Sequence, residues 1–269
     1  MDASGNKHIR VAVLYICTGR YSRFFAGFYE SAKKHLLRGI AEVEYFVFTD
    51  DTTLTTGDDV HIIERQCKGF PADTLGRFEM FLSMRSQLEA FDYIFFLNSN
   101  ALLVKDVGTE ILPDSETGLT AARWVKQKPM DWPMFYPYER RRQSTAHIPP
   151  FDGPYAYYMG GFNGGTAKAY LAMAEQLNQN IKADTGKGIL ARYHDQAYLN
   201  HYLHKRPLQE LPKGYCCPEE WLTEAFDTHI MFREKVHIDT YFNKGRNHSP
   251  WGRVRQGANA LWQALKWYL

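Results

Sequence analysis

The sequence predicts an α/β protein whose central sheet is mostly parallel. Across roughly the first 100 residues, short segments rich in β-branched and aromatic side chains alternate with segments of helical periodicity. One strand-like segment, DYIFFLN at residues 92–98, is almost wholly apolar, which is typical of a strand covered on both faces. Strands that alternate with helices are joined by right-handed crossovers, and such crossovers produce parallel sheets.

Each element follows from the same patterns, taken in chain order. The predicted strands are residues 10–17, 43–50, 60–66 and 92–98. The predicted helices are residues 22–37, 73–91, 166–184 and 193–203, with Asp73 as the N-cap of the second. The segment YYMGGFNGG, residues 157–165, has four glycines in six residues and is predicted to be a tight loop that enters the next helix.

Composition favours one domain, residues 1–269, in a reducing compartment. No linker or repeat divides the chain, and a net charge of +2 gives no argument for a nucleic-acid partner. The four cysteines form neither a disulfide framework nor a metal-binding spacing. Neither a signal segment nor an apolar run of about 18 residues, the length of a transmembrane helix, is found. We expect a cytoplasmic protein, with peripheral contact to the inner face of the membrane as an alternative.

The C-terminal residues are basic and amphipathic. Cations outnumber carboxylates in residues 233–269, and this tail either closes over an anionic ligand or is a solvated chain end. The last segment, GANALWQALKWYL, has the pattern of an amphipathic helix with several Leu and Trp residues. That helix packs on the core, joins a second subunit in a homo-oligomer, or touches a membrane surface. We favour the first two.

Two amides follow the strand predicted at residues 92–98. The side chains of Asn98 and Asn100 share one side of the chain, because side chains alternate along an extended strand. A carboxylate pair at this position would bind Mg²⁺ or Mn²⁺, whereas amide oxygens are neutral and weaker ligands. Amide N–H groups can donate to sugar hydroxyls or phosphate oxygens without a metal. The alternative is an Asx turn that ends the strand.

A second polar group stands at the start of the helix predicted at residues 193–203. There Asp195 either caps the helix or, together with Gln196, faces a sugar. The neighbouring His194 and the more distant His201 lack the spacing of a zinc site. We therefore reject a metal site at these histidines. We expect no cofactor.

Seven segments of the chain resemble, in the same order, segments of glycosyltransferase family 6. They are LYICTGRY, EYFVFTD, DTLGRFEMF, DYIFFLNSN, YERRRQSTAHIP, YYMGGFNGG and YHDQAYLNHYL, with a less secure extension through LPKGYCCPEEW. This family comprises retaining α-1,3-galactosyl- and N-acetylgalactosaminyltransferases, among them the blood-group A and B enzymes and shorter bacterial relatives. The resemblance implies a GT-A fold, a UDP-sugar donor and an oligosaccharide acceptor.

The resemblance also predicts how the domain is divided and whether transfer requires a metal ion. It implies a nucleotide-binding half at about residues 8–105, an acceptor and catalytic half at about 106–250, and a basic tail and helix at about 233–269. Asn98-Ser99-Asn100 lies at the family's metal-binding DxD motif, where bacterial members carry NxN and transfer without metal. Other cations must then stabilise the leaving diphosphate, and the candidates are Lys235, Lys244 and Arg246.

Further donor-binding residues follow from the same motifs. Tyr21 matches the aromatic residue that stacks near uracil, and Ile16 and Thr18 match its neighbours. Arg77 matches the arginine between the metal motif and the donor sugar, and Asp195 matches the aspartate that binds the donor-sugar hydroxyls.

The resemblance implies that Met159, Gly160 and Gly161 determine the choice of donor sugar. They match the segment that separates N-acetylgalactosamine from galactose donors. Glycine at the third position leaves space for an N-acetyl group, whereas galactose users carry alanine there. We therefore favour UDP-GalNAc over UDP-galactose.

Two departures from the family concern the acceptor and the catalysis. Trp124 stands in place of an acceptor-side histidine; it and Trp221 either stack on acceptor sugars or pack in the core. Gln196 stands in place of the glutamate proposed as nucleophile or charge stabiliser. The predicted catalytic residues are Gln196, Asp195 and Arg77, and Gln196 is also predicted to contact the acceptor.

Glutamine at that position cannot form an ordinary glycosyl ester, because it lacks a carboxylate. Three explanations are open: a natural variant that uses same-face substitution, an engineered variant that binds substrates without turnover, or a degenerate enzyme. An inverting transferase of the same fold would instead need a carboxylate base near the acceptor hydroxyl.

Overall fold

The computed structural model of the chain describes residues 8–124, 132–222, 227–242 and 250–268. Its strands are β1 (Ile9–Ile16), β2 (Ala41–Thr49), β3 (Val60–Glu64), β4 (Tyr93–Leu97), β5 (Ala101–Leu103), β6 (Leu119–Arg123), β7 (Tyr158–Thr166), β8 (Gln209–Leu211), β9 (Cys217–Pro218) and β10 (Ile230–Phe232). Its α-helices are α1 (Phe25–His35), α2 (Ala72–Leu75), α3 (Arg77–Leu82), α4 (Arg85–Leu88), α5 (Ala167–Gly186), α6 (Asp195–Leu203), α7 (Lys235–Ile238) and α8 (Pro250–Tyr268). Short 3-10 helices lie at Gly19–Phe24, Thr109–Ile111, Pro133–Phe135, Lys213–Tyr215, Glu219–Trp221 and Thr240–Phe242.

Within the described residues, the strands form a seven-stranded sheet in the order β3-β2-β1-β4-β7-β6-β8. The pairs β3–β2, β2–β1 and β1–β4 are parallel. Strand β7 runs antiparallel to β4 and β6, and β6 is parallel to β8. A smaller sheet of order β5-β10-β9 lies beyond the end of β4. The predicted α/β fold with a mostly parallel central sheet is therefore confirmed.

The central sheet is covered on both faces, as the apolar strands predict. On one face, Val11 and Val13 pack against Phe25 and Phe28 of α1. On the other face, Ala12, Leu14 and the strands beside them pack against buried side chains of α3, α5 and α6. Burial of both faces orders the strand ends, which is where open α/β sheets bind their ligands.

The predicted strands of the first half differ from β1–β4 by two residues at most at either end. The helices predicted at residues 166–184 and 193–203 correspond to α5 and α6 with similar precision. The helix predicted at residues 22–37 begins as a 3-10 helix and becomes α-helical from Phe25.

The single helix predicted at residues 73–91 is wrong. Three short helices, α2, α3 and α4, occupy this stretch, and the first break falls at Gly76, a residue with low helix propensity. Asp73 is not an N-cap either, because it lies inside α2. Its carboxylate accepts hydrogen bonds from the backbone N–H groups of Lys68 and Gly69, both at 3.0 Å, and so fixes the turn that precedes the helix.

The loop predicted at residues 157–165 is also wrong, because most of this stretch forms β7 in the middle of the sheet. A side chain at Gly164 would overlap the ring of Phe95, and one at Gly165 would overlap the carbonyl oxygen of Gly118. The glycines therefore allow close packing on neighbouring groups, and they remove the side-chain alternation by which strands are recognised.

A buried carboxylate braces the chain that leads into α6. Glu139 is only 2% exposed and accepts hydrogen bonds from Arg141 Nη2 at 2.7 Å and from the backbone N–H of Arg192 at 2.7 Å. The next two residues, Tyr193 and His194, have positive φ angles of 59° and 55°, which non-glycine residues rarely adopt. Burial would raise the pKa of Glu139, but these hydrogen bonds outweigh burial and hold the pKa at about 2.

We predict that Glu139→Gln removes a pH-dependent part of the stability. A depressed pKa means that the folded state is favoured above the unfolded value, 4.5, and that this advantage is lost as the pH falls towards 2. The free energy of unfolding of the unmodified protein should therefore exceed that of the variant by about 1–3 kcal/mol at pH 6 and by less at pH 3. Urea unfolding at both pH values measures this difference.

The matched control is Glu89→Gln, which neutralises an exposed carboxylate just beyond α4. Its pH dependence should follow that of the unmodified protein. If Glu139→Gln also had the same pH dependence of stability as the unmodified protein, the assignment of Glu139 as a structural carboxylate would be contradicted.

Candidate active site

A cleft of about 1050 Å³ opens at the carboxyl ends of β1 and β4, between the two sheets. It lies where a mostly parallel sheet is expected to bind its ligand. Several residues predicted from the sequence line it together: Ile16, Thr18, Tyr21, Arg77, Asn98, Asn100, Trp124, Met159 and Lys235. These residues come from both halves of the chain, so the fold assembles them in one place.

A buried ion pair lies at the back of the cleft. Arg77 Nη1 is 2.6 Å from Asp195 Oδ2 and also donates to the carbonyl oxygen of Gly160 at 3.0 Å. The guanidinium carbon lies 4.1 Å from the ring centroid of Phe96, a cation–π contact. Burial raises the pKa of the Asp195 carboxyl above its ordinary value, although the positive charge of Arg77 opposes that rise. Asp195 is thus an ion-pair partner, and it is the first residue of α6, whose N-cap position is held by His194.

The two amides form a connected turn between the two sheets. Asn98 Nδ2 donates to Asn100 Oδ1 at 2.9 Å, and Asn100 Nδ2 donates to the carbonyl oxygen of Arg233 at 2.8 Å. The backbone N–H of Ala101 donates to the carbonyl of Asn98 at 2.9 Å, which closes the turn that leads into β5. The sequence left open a strand-ending turn or a ligand site, and this arrangement is a turn that also lines the cleft.

Among the described residues, no group of three or more His, Cys, Asp or Glu side chains is arranged to hold a metal ion. The side chains at the DxD position offer amide groups, which are weak ligands for Mg²⁺ or Mn²⁺ compared with a carboxylate pair. The donor set at Asn98 and Asn100 is therefore better suited to hydrogen bonding than to metal binding.

Aromatic rings and a lysine form the other end of the cleft. The ring of Tyr21 lies 4.8 Å from that of Phe242, and Lys235 Nζ donates to the Tyr21 hydroxyl at 3.1 Å. The segment that carries Phe242 is fixed by Asp239, which pairs with Arg20 at 3.1 Å and with Arg23 at 3.0 Å. A flat base and a nearby phosphate are the kind of ligand that such a surface accommodates.

Three residues of the predicted site lie partly or wholly outside the description. Lys244 and Arg246 fall in residues 243–249, outside the described residues. For Trp221 only the backbone is described, in the 3-10 helix Glu219–Trp221. The predictions for these three residues therefore remain predictions.

Gln196 stands directly behind the wall of the cleft. Its Oε1 accepts from the backbone N–H of Gly160 at 3.1 Å, and its Nε2 donates to the hydroxyl of Tyr157 at 2.8 Å. Asp195, Gln196 and Gly160 are not among the residues that line the cleft. Both ends of the Gln196 amide are thus occupied by protein groups, which fixes the orientation of the side chain.

Gly161 faces a residue that the sequence did not single out. A Cβ atom at this position would lie 2.8 Å from the ring edge of Phe232, which lines the cleft. A larger residue at 161 would therefore displace this ring. The size of residue 161 acts on the cleft through Phe232.

Sequence reasoning missed the roles of Tyr157, Phe232 and Phe242. Tyr157 opens the glycine-rich segment, and its place beside that motif was a usable signal. Phe232 and Phe242 reach the cleft only because β10 pairs with β5 and because Asp239 fixes the chain that follows. Neither contact has a local sequence pattern.

Comparison with known proteins agrees with this geometry. The family model of glycosyltransferase family 6 matches residues 3–236. The O-antigen biosynthesis glycosyltransferase WbnI of Escherichia coli is 30% identical over 237 residues, which cover 87% of this chain and 98% of that protein.

Two animal proteins are similar at nearly the same level. Globoside alpha-1,3-N-acetylgalactosaminyltransferase 1 of Gallus gallus is 29% identical over 221 residues, 77% of this chain and 62% of that protein. Histo-blood group ABO system transferase 1 of Rattus norvegicus is 29% identical over 214 residues, 76% of this chain and 59% of that protein. The chain thus spans about three fifths of the length of these animal relatives. With the family model matched across most of its length, the chain belongs to glycosyltransferase family 6 and is a glycosyltransferase.

Proposed function

We propose that the protein is a retaining, metal-independent α-1,3-glycosyltransferase that moves N-acetylgalactosamine from UDP-GalNAc to a galactose-containing glycan. The observation that carries this proposal is the cleft, which places Tyr21 and Lys235 at one end and Arg77, Asn98 and Asn100 beside them. An aromatic ring for a base, cations for phosphates and amides for hydroxyls match the parts of a nucleotide sugar. The animal relatives include an α-1,3-N-acetylgalactosaminyltransferase, which supports the linkage and the sugar.

Metal independence rests on how the diphosphate charge is balanced. Arg77 and Lys235 line the cleft, and they are fixed by Asp195 and Tyr21. Fixed cations and N–H donors stabilise a leaving diphosphate without the reorganisation that water would need. The amides of Asn98 and Asn100 supply N–H groups where a metal-dependent enzyme would supply carboxylates.

Catalysis with retention then requires a route that does not use a carboxylate nucleophile at residue 196. In a same-face substitution, the bond from the anomeric carbon to the UDP oxygen breaks while the bond to the acceptor 3-oxygen forms on the same face. The acceptor proton passes to the departing diphosphate oxygen, so the atoms and charges balance. Gln196, fixed by Tyr157 and Gly160, would then help to shape the sugar end of the site rather than take part covalently.

Two alternatives remain for the chemistry. The occupied amide of Gln196 is equally compatible with a protein that binds UDP-sugar and glycan but has lost turnover. An inverting route needs a carboxylate base, and Glu220 is an exposed carboxylate that lines the cleft. Measurement of UDP release shows whether turnover is lost. NMR of the product's anomeric configuration distinguishes the inverting route from the retaining one.

We infer a cytoplasmic location from the thiols. Cys17, Cys67, Cys216 and Cys217 are all unpaired, and Cys67 is exposed. Unpaired thiols persist in reducing compartments. No helix in the described ranges is both long and apolar enough to cross a bilayer.

The first test is transfer from UDP-GalNAc to lactose by the chain as it stands. We expect UDP release and an α-linked product at rates that agree within about twofold in EDTA and in Mn²⁺, because the cations of the site belong to the protein. Loss of transfer in EDTA that Mn²⁺ restores would contradict metal independence. Binding of UDP-GalNAc without any transfer, together with transfer by Gln196→Glu, would support the binding-only alternative.

The second test concerns the donor sugar. We expect Gly161→Ala to lower the ratio of kcat/KM for UDP-GalNAc over UDP-galactose by at least about tenfold, because the added methyl pushes the Phe232 ring into the cleft. Adding Phe232→Leu should restore part of the ratio by shortening the side chain that is displaced.

Gly186→Ala is the matched control for that change, since a Cβ atom there meets nothing within 4 Å. It should leave the ratio of the two donors unchanged. An unchanged ratio in Gly161→Ala as well would exclude Gly161 as a determinant of the donor sugar.

A further inference from the structure

The outward face of α8 is an apolar surface bordered by cations. On its inner face, Trp267 is 4% exposed and donates from Nε1 to the carbonyl oxygen of Ile148 at 2.9 Å. On the outer face, apolar side chains are exposed along the helix: Trp251, which is 83% exposed, Leu261, Trp262 and Leu265. An α-helix of this length extends for about 28 Å, so the exposed stripe is long.

A second element extends this surface. The ring of Phe151 is 80% exposed and lies 5.1 Å from the ring of Tyr268, at the end of α8. Phe151 has a positive φ of 61°, a strained conformation for an aromatic residue, and yet its side chain points to solvent. We call the outer side chains of α8 together with Phe151 the α8 surface.

The charges of the α8 surface have one sign. Arg253, Arg255 and Lys266 are the charged residues of α8, and the helix contains no Asp or Glu. Lys266 Nζ lies 5.1 Å from the ring centroid of Trp262, and Arg255 is exposed on the same helix. The carboxylate next to Phe151, Asp152, is ion-paired with Lys205. The surface is therefore aromatic, aliphatic and cationic.

We propose that the α8 surface binds an anionic phospholipid bilayer, with α8 lying in the plane of the headgroups. Tryptophan and leucine side chains partition into the boundary between headgroups and acyl chains, and adjacent Lys and Arg attract anionic lipids. A second copy of this chain fits less well. A two-fold contact between α8 surfaces would bring Arg255 and Lys266 towards the same cations of the partner with no carboxylate of α8 between them.

The α8 surface is connected to the candidate active site through packed aromatic rings. On the inner side of α8, Trp267 lies 5.8 Å from the ring of Tyr138, which lies 5.6 Å from the ring of Tyr157. The hydroxyl of Tyr157 accepts the hydrogen bond from Gln196. If the proposed transfer holds, the bilayer lies near the sugar end of the cleft, so the acceptor class would be a glycan carried on a lipid.

The test is sedimentation of the full chain with vesicles of phosphatidylcholine alone or with 30% phosphatidylglycerol (about 0.1 M salt). We expect binding to the anionic vesicles, and weak binding to the neutral ones. The double variant Trp262→Ser, Leu265→Ser should lower the partition coefficient at least about tenfold, and Lys266→Gln about fivefold on anionic vesicles alone. Ile62→Ser and Lys34→Gln are matched controls on the far elements β3 and α1, and should bind as the unmodified chain does.

A second measurement needs no variant. Acyl chains brominated near the headgroup should quench tryptophan fluorescence of the unmodified chain on anionic vesicles. The proposal is overturned by absence of binding and quenching, or by equal binding of the α8 variants and the controls. It is also overturned if light scattering shows a dimer that Trp262→Ser, Leu265→Ser converts to a monomer while no vesicle binding is seen. Vesicle binding requires no turnover, so its failure is distinguishable from failure of the transfer assay.

Discussion

The ion pair between Arg77 and Asp195 is the interaction on which the rest of the candidate site depends. It connects α3 to the start of α6, and the bond from Arg77 to the Gly160 carbonyl adds β7. Burying two charges costs more than their attraction returns unless further hydrogen bonds and good geometry compensate. Here the Gly160 oxygen and the Phe96 ring supply further contacts to the guanidinium, while Arg77 Nε is buried without a hydrogen-bond partner among the described residues. The N-terminal half of the chain, through Arg77, thus fixes the residues behind the wall of the cleft.

Neutral amides stand at the positions where the sequence resemblance predicts charged groups. Asn98 and Asn100 are bonded to each other, Asn100 is bonded to Arg233 just after β10, and Gln196 is bonded to Tyr157 and Gly160. Each amide therefore contributes to a rigid frame as well as presenting polar atoms near the site. In the proposed mechanism Arg77 and Lys235 stabilise the charge of the leaving diphosphate, and the frame holds both cations in position.

The sequence predicted those parts of the fold that depend on local pattern. Strands β1–β4 follow from runs of apolar residues, and α5 follows from its helical periodicity. The strand β7 was misjudged because its glycines have no side chains to alternate. The helix at residues 73–91 was misjudged because the chain breaks at Gly76 and again before α4. Several residues that motif order singled out line the cleft. The contact of Phe232 with Gly161 depends on the pairing of distant strands, so no local pattern could indicate it.

The central claim is that one buried ion pair organises the candidate active site, and a double-mutant cycle on Arg77→Gln and Asp195→Asn tests it most directly. Each single change leaves a buried charge unpaired and should cost about 3–5 kcal/mol of the free energy of unfolding. The double variant should be more stable than either single variant, while all three lose at least about 100-fold in kcat/KM. Losses of stability that simply add to within about 0.5 kcal/mol, or a single variant that keeps its kcat/KM, would contradict the claim.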